Sequence, residues 1–196
     1  MSFIIKDGAG SGSRAEVDAT LKLQTRSINR TEHQEGALER DAFILTPGHV
    51  QLTSDSDTAI SWFRNDEQRD ILLTRVTVSC TASTGGTESF VQVKTIRNPT
   101  GMTGGIGVNV FASNNNFGSN RGLESTGEIG QEGATLIGGT FGAFGLHFPV
   151  ALASVRDIAI VLPRGASIGY VITPPANNTD MSIAVLLDST LIKAGT

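Results

Sequence analysis

Two short glycine-containing motifs match the patterns of a catalytic site and of a cofactor-binding site. Gly165–Gly169 matches G-x-S-x-G, the pattern that places a nucleophilic serine where a strand turns into a helix. The residues after Ser167 favour a strand, and Pro174-Pro175 then excludes a helix. The hydrolase order needs a histidine after the serine, but all three histidines precede it: His33, His49 and His147. A catalytic arrangement of His147, Asp157 and Ser167 in another chain order is not excluded by the sequence, but nothing in the sequence supports it. We interpret the motif as a glycine-permitted turn leading into a core strand.

The second motif, Gly10–Ala15, fits the loose dinucleotide pattern G-x-G-x-x-A. That pattern binds a pyrophosphate only where a helix follows it. Here residues 16–20 lead into an alternating, strand-like segment, so we predict a turn-forming loop and no cofactor.

Metal-binding patterns are equally weak. The histidines are scattered, Cys80 is the single cysteine, and neither HExxH nor a Cys pair occurs. Asp55-Ser56-Asp57 could hold calcium, but Ala59 stands where an EF-hand loop needs an oxygen ligand. We predict a solvated acidic turn there, no metal site and no enzymatic activity.

Composition excludes several further classes of protein. The chain has 196 residues, of which 39% are hydrophobic, enough for a folded core. Its net charge of −4 argues against a general nucleic-acid binder, and no apolar run is long enough to span a membrane. Gly, Ser and Thr together make up 61 residues, which is typical of β structure with many turns.

The charges are placed unevenly. Residues 1–75 carry 21 charged side chains, whereas residues 76–196 carry only 13. The surface of a small soluble monomer is usually about 25–35% charged. Burial in an assembly would explain the low charge, and a Ser/Thr-rich β surface is the alternative.

Short β-rich runs separated by Gly, Pro and Asn follow one another from Ala42 onward. No segment shows a helical stripe, so we predict an all-β, jelly-roll-like β-sandwich with an extended N-terminal arm. The arm and its charged linker take residues 1–41, and the sandwich body takes residues 42–196. Predicted strands are 43–45, 49–52, 58–63, 71–80, 90–96, 106–111, 135–137, 158–162, 168–172 and 182–187.

Four further predictions concern parts of this body. Trp62 and Phe63 should be buried, although exposed aromatics could stack on sugars. Cys80 should be a small buried hydrophobe. Residues 113–122 should form a polar loop, and the Gly/Phe-rich stretch 138–148 should form a loop, either at a subunit contact or covered within the fold.

The N-terminal stretch is similar to the opening of many tailed-bacteriophage virion proteins. In those proteins an I-K-D-G-x-G-x-G run precedes A-x-V-D and a short strand, as Ile5–Gly12, Ala15–Asp18 and Leu21–Leu23 do here. Three later stretches resemble capsid decoration, or cement, proteins: Trp62–Glu67, Ile96–Gly101 and Leu162–Gly169. The resemblance implies a jelly-roll body, a homotrimer and a position on the capsid surface of the virion, where the protein clamps neighbouring major capsid subunits. It implies no catalytic residues.

An arm with an apolar end could add a strand to the exposed sheet edge of a neighbour. We therefore predict that the capsid or subunit contact is made by Phe3, Ile4, Ile5, Lys6, Asp7, Gly8, Leu21 and Leu23. The alternative is a head-fibre or tail protein that binds a host-surface receptor or glycan, with Trp62 and Asn114–Asn116 as candidate contacts.

Overall fold

A computed structural model describes residues 3–6, 14–17, 23–25, 37–46, 49–88, 90–107 and 110–192. The chain divides into two compact units, Met1–Thr31 and Glu32–Thr196. In the first unit, β1 (Phe3–Lys6), β2 (Arg14–Val17) and β3 (Leu23–Thr25) form an antiparallel sheet in the order β1-β2-β3.

The second unit, called the body below, is almost entirely β. After one helical turn at 37–39, its strands are β4 (Ala42–Thr46), β5 (His49–Leu52), β6 (Thr58–Asn65), β7 (Asp70–Cys80), β8 (Phe90–Arg97), β9 (Gly101–Thr103), β10 (Phe111–Asn114), β11 (Ser125–Ile129), β12 (Thr135–Ile137), β13 (Thr140–Pro149), β14 (Ala153–Leu162), β15 (Ser167–Thr173) and β16 (Met181–Ile192). The predicted all-β class is confirmed.

Two antiparallel sheets build the body. The first sheet has the order β10-β4-β16-β7-β14, with β5 also pairing with β16. The second sheet has the order β11-β6-β15-β8-β13, and β9 and β12 form a separate ladder. In the first sheet β10 and β14 are therefore opposite edges, and in the second sheet β11 and β13 are.

One main core joins the two sheets in a sandwich-like arrangement. Phe43 and Leu187 of the first sheet and Phe63 and Phe148 of the second are fully buried in the same apolar cluster. Alternation along β7 is as predicted, because Val76, Val78 and Cys80 are buried while the intervening side chains are not. Burying a large aliphatic or aromatic side chain contributes about 1.5–3 kcal/mol, so this cluster is the main source of the body's stability.

A second, smaller core lies where the β9–β12 ladder packs beside β6. It contains Ala59, Trp62, Met102 and Ala134, with Leu136 packed against it. Trp62 thus contributes to the small core while Phe63 contributes to the main one, and the predicted burial of both residues is confirmed.

The predicted strand 106–111 is wrong at the described residues 106, 107 and 110. Gly104 and Gly107 have φ values of +73° and +68°, and this left-handed backbone is incompatible with an extended strand. A strand begins instead at Phe111, the last residue of that prediction, and continues to Asn114, the second residue of the predicted polar loop. It forms there because this segment pairs with Phe43–Thr46 of β4.

The predicted Gly/Phe loop is also wrong over most of its length, because Thr140–Pro149 is a strand paired with β8. The register shifts between Phe141 and Gly145, as at a β-bulge. A Cβ atom on Gly142 would lie 2.8 Å from the Thr95 carbonyl oxygen, so glycine is what allows the two strands to approach here. Phe148 is buried as a result, whereas Phe141 stays exposed.

The single tyrosine, Tyr170, offers a test of the main core. Its hydroxyl is buried and has no hydrogen-bond partner among the described residues, and burial raises its pKa. A buried hydroxyl without a hydrogen-bond partner lowers the free energy of unfolding by about 1–3 kcal/mol. We therefore expect Tyr170→Phe to keep or raise the free energy of unfolding, by up to about 1 kcal/mol. Ser167→Ala is the control, since that hydroxyl donates to the Pro99 carbonyl at 2.6 Å and its loss should destabilise. Destabilisation by Tyr170→Phe in urea unfolding would contradict this account.

Candidate functional site

Ser167 does not form a nucleophile site. Gly165 has φ +79° and makes the turn between β14 and β15, and Ser167 is the first residue of a buried strand. Its hydroxyl donates to the Pro99 carbonyl at 2.6 Å. The prediction of a turn leading into a core strand is confirmed. Asp157 lies in the other sheet and pairs with Arg75 at 3.3 Å, so no His147–Asp157–Ser167 triad forms.

The acidic turn at residues 55–57 is held by protein groups. Asp55 accepts from the backbone N–H of Asn177 at 3.1 Å, and Asp57 accepts from Lys94 at 2.7 Å and Thr173 at 2.6 Å. Partial burial raises the pKa of Asp57, but these hydrogen bonds and the lysine charge outweigh it and lower the pKa. Within the described ranges, no three His, Cys, Asp or Glu side chains lie together as metal ligands would.

Cys80 is a buried core residue, as predicted, and its thiol lies 3.5 Å from the Pro149 carbonyl oxygen. Burial raises the pKa of this thiol, so the nucleophilic thiolate is disfavoured.

An ion network at one end of the body was not predicted from the sequence. The Asp41 carboxylate is 8% exposed and accepts from Arg69 on one oxygen and from Arg121, at 2.5 Å, on the other. Arg121 also lies 3.6 Å from Glu67, and Arg69 donates to the Leu191 carbonyl at 2.8 Å. The network joins the start of β4, the β6–β7 turn, the loop before β11 and the end of β16. It holds the body together at this end.

The outer face of the first sheet carries exposed apolar side chains among polar and charged ones. Val155 and Val161 on β14 are 53% and 49% exposed, and Leu186 on β16 is 39% exposed. Register places Leu186 and Val155 on either side of Thr77, in one row across three strands. Next to that row, Arg75 lies 3.3 Å from Asp157 and 3.7 Å from Asp188, so it is flanked by acids on both sides.

A cleft of about 540 Å³ opens beside this face, at the β14 edge. Its walls are residues 159–162 of β14 on one side and parts of β8, β13 and β15 on the other. The lining includes Ile160, Leu162 and Ile168, with Arg97 as its charged residue. The cleft can accept an apolar group, but no pair of its side chains has the geometry of a nucleophile and a base.

The loop between β10 and β11, residues 115–124, presents one aromatic side chain to solvent. Phe117 is 102% exposed relative to a free reference residue. Asn114 at the base of the loop donates to the carbonyl groups of Arg40 at 2.9 Å and Arg121 at 3.3 Å. Its amide is therefore hydrogen-bonded within the fold. Trp62 is buried in the small core, so neither of these two candidate glycan contacts is free at the surface.

The predicted contact residues of the N-terminal stretch lie partly within the described structure. Phe3, Ile4, Ile5 and Lys6 form β1, and Leu23 begins β3. Asp7, Gly8 and Leu21 lie outside the described residues. In β1 and β2, Phe3 pairs with Val17 and Lys6 pairs with Arg14.

No protein-family model matches this chain, and no curated protein sequence matches it either. No helix among the described residues is long and apolar enough to cross a membrane. Function must therefore be inferred from the geometry of the body and the chemistry of its surface.

Proposed function

We propose that this chain is a bacteriophage virion structural protein, a decoration or cement protein that binds the capsid surface and stabilises it by clamping neighbouring major capsid subunits. The observation that carries the proposal is the uncovered outer face of the first sheet, with Val155, Val161 and Leu186 at its surface. Exposed apolar side chains that lie close together and are rimmed by polar residues mark interaction sites. Its partner, in this proposal, is the capsid shell.

The strand order supports a jelly roll for the body. Eight strands are divided between the sheets as in that fold: β4, β16, β7 and β14 are neighbours in one sheet, and β6, β15, β8 and β13 are neighbours in the other. Residues 98–139 form an insertion between β8 and β13, and they supply the outermost strands β10 and β11. In this arrangement the inner faces of the two sheets form the core, and their outer faces are available for contact.

The N-terminal segment supplies a second contact in this proposal. Residues 1–41 act as arm and linker, and Phe3–Gly8, Leu21 and Leu23 contact the capsid or a neighbouring copy. The short strands β1–β3 support this role, since their sheet has edges that can accept or donate a further strand. Several modest contacts from one homotrimer would combine through effective concentration.

Particles prepared without the protein test the proposal. We expect them to release their contents at a lower temperature than complete particles, and purified protein to restore the difference. Gel densitometry should find the protein in hundreds of copies per particle. Capsids that remain equally stable without it, while host adsorption falls, would contradict the proposal and favour the head-fibre or tail alternative.

A surface variant tests the apolar face itself. Val155→Lys combined with Leu186→Lys should abolish the restored capsid stability, because binding would bury two unpaired charges. Ile137→Lys is the matched control: Ile137 is equally exposed but lies on β12, away from the first sheet. Deletion of residues 1–28 tests the N-terminal contact in the same way, and we expect it to reduce the restored capsid stability. Full restoration by the double-lysine variant would exclude this face as the capsid contact.

A further inference from the structure

Phe117 differs from the other exposed apolar side chains of the body. Its exposed fraction is 102%, whereas those of the other large exposed hydrophobic residues lie between 39% and 60%. Neighbouring groups thus cover part of each of those residues but leave the Phe117 ring in water. Buried aromatic side chains are frequent energetic anchors of protein interfaces.

The loop that carries Phe117 is ordered by its own hydrogen bonds. The Asn116 N–H donates to the Asn114 side chain at 2.8 Å, and the Gly118 N–H donates to the Asn116 side chain at 3.1 Å. The Ser119 N–H donates to the Asn116 carbonyl at 2.8 Å. At the base of the loop, Arg121 enters the Asp41 ion network. The aromatic side chain is therefore presented in a fixed loop, which lowers the entropy cost of binding.

The same chain carries a cleft of suitable size. Its volume is about 540 Å³, and Ile160, Leu162 and Ile168 are among its lining residues. An apolar cavity of about 150 Å³ already accepts benzene. The cleft therefore has room for a phenylalanine ring and for part of the loop beside it.

The ring and the cleft lie at opposite edges of the sandwich. The Phe117 loop connects β10 and β11, which are the edge strands at one side of the two sheets. The cleft is bordered by β14 and β13, which are the edge strands at the other side. One copy could thus offer its loop to the cleft of a second copy while its own cleft stays free. Contacts of this heterologous type close into rings where the rotation allows.

We propose that the protein assembles head to tail, with Phe117 of one copy inserted into the β13–β14 edge cleft of the next. This rests on the proposed function and deepens it, because it assigns surfaces through which neighbouring copies contact each other. Val161 lines the cleft and is covered by the inserted loop, whereas Val155 and Leu186 on the outer face of the first sheet stay free for the capsid.

Two complementary variants test the assembly. Phe117→Lys removes the ring and places a cation against Arg97 in the cleft lining, whereas Ala159→Arg puts a long charged side chain on the exposed cleft wall. By sedimentation velocity we expect the wild-type protein to be oligomeric and each variant alone to be monomeric. An equimolar mixture should form a heterodimer, since one intact contact remains between a Phe117→Lys copy with its free cleft and an Ala159→Arg copy with its free ring.

Sedimentation velocity also provides the control and the results that would contradict the inference. Ile137→Asp should assemble like the wild-type protein, and circular dichroism should show that all variants are folded. A monomeric wild-type protein, an oligomeric Phe117→Lys variant, or a mixture without heterodimer would each overturn the inference. Capsid stabilisation by the wild-type protein is measured separately, so the proposed function can hold even where this assembly fails.

Discussion

Gly130→Ala should lower the free energy of unfolding by about 3 kcal/mol, the upper end of the usual cost of overpacking. A Cβ atom at this position would lie 1.8 Å from the Ala59 carbonyl oxygen and 3.1 Å from the Ile60 Cα. Both contacts are backbone atoms of β6, so no side-chain rotation can relieve them. The Gly130 N–H also donates to the Ile60 carbonyl at 2.8 Å, and separating the strands would weaken that bond.

Urea unfolding followed by tryptophan fluorescence measures the effect, because Trp62 is the single tryptophan and is buried in the small core beside Ala59. Gly122→Ala is the matched control. A Cβ atom on Gly122 would meet no atom within 4 Å. Its change in stability should stay within about 0.5 kcal/mol. Equal stabilities for the two variants would show that β6 and the start of the 130–134 turn are not packed as described.

Asp41→Asn should destabilise the body by about 2–3 kcal/mol. Breaking a buried ion pair by removing one partner costs about 3–5 kcal/mol. The expected loss here is smaller because the side chains of Arg69 and Arg121 are 33% and 37% exposed, so water can solvate part of their charge. Asparagine keeps the shape of the side chain but presents one acceptor to two guanidinium groups that the carboxylate now holds together.

Asp157→Asn provides the comparison for this prediction. Asp157 also pairs with an arginine, Arg75, at 3.3 Å, but its side chain is 85% exposed. Exposed pairs contribute only about 0–1 kcal/mol, so we expect little change in the urea midpoint. If the two variants lost stability equally, burial of Asp41 would not be the source of its effect.

Particular residues show how far the sequence could predict this fold. Alternation over Ile71–Cys80 predicted a half-buried strand, and Val76, Val78 and Cys80 are indeed buried. The same local reasoning failed at Gly142 and Gly145, where glycine indicated a loop. There the strand forms because β8 pairs with it, and a pairing partner distant in the chain is invisible to local propensity.

The ion network is a second case. Asp41, Glu67, Arg69 and Arg121 have no spacing that suggests a cluster, and Asp41 was assigned to the linker. Only the meeting of the start of β4, the β6–β7 turn and the loop before β11 at one end of the body brings these charges together. The cleft could not be predicted from the sequence either, because its two walls come from strands of different sheets.

By itself the sequence determined the all-β class, the burial of Trp62, Phe63 and Cys80, and the low charge of residues 76–196. These properties follow from composition and from the two-residue period of a strand, which are both local. Tertiary structure decided which strands are edges, where the apolar face stays uncovered, and that Phe117 and the cleft lie on opposite sides. Those features depend on the pairing of strands far apart in the chain, and the free energy of such contacts is not encoded in any short segment.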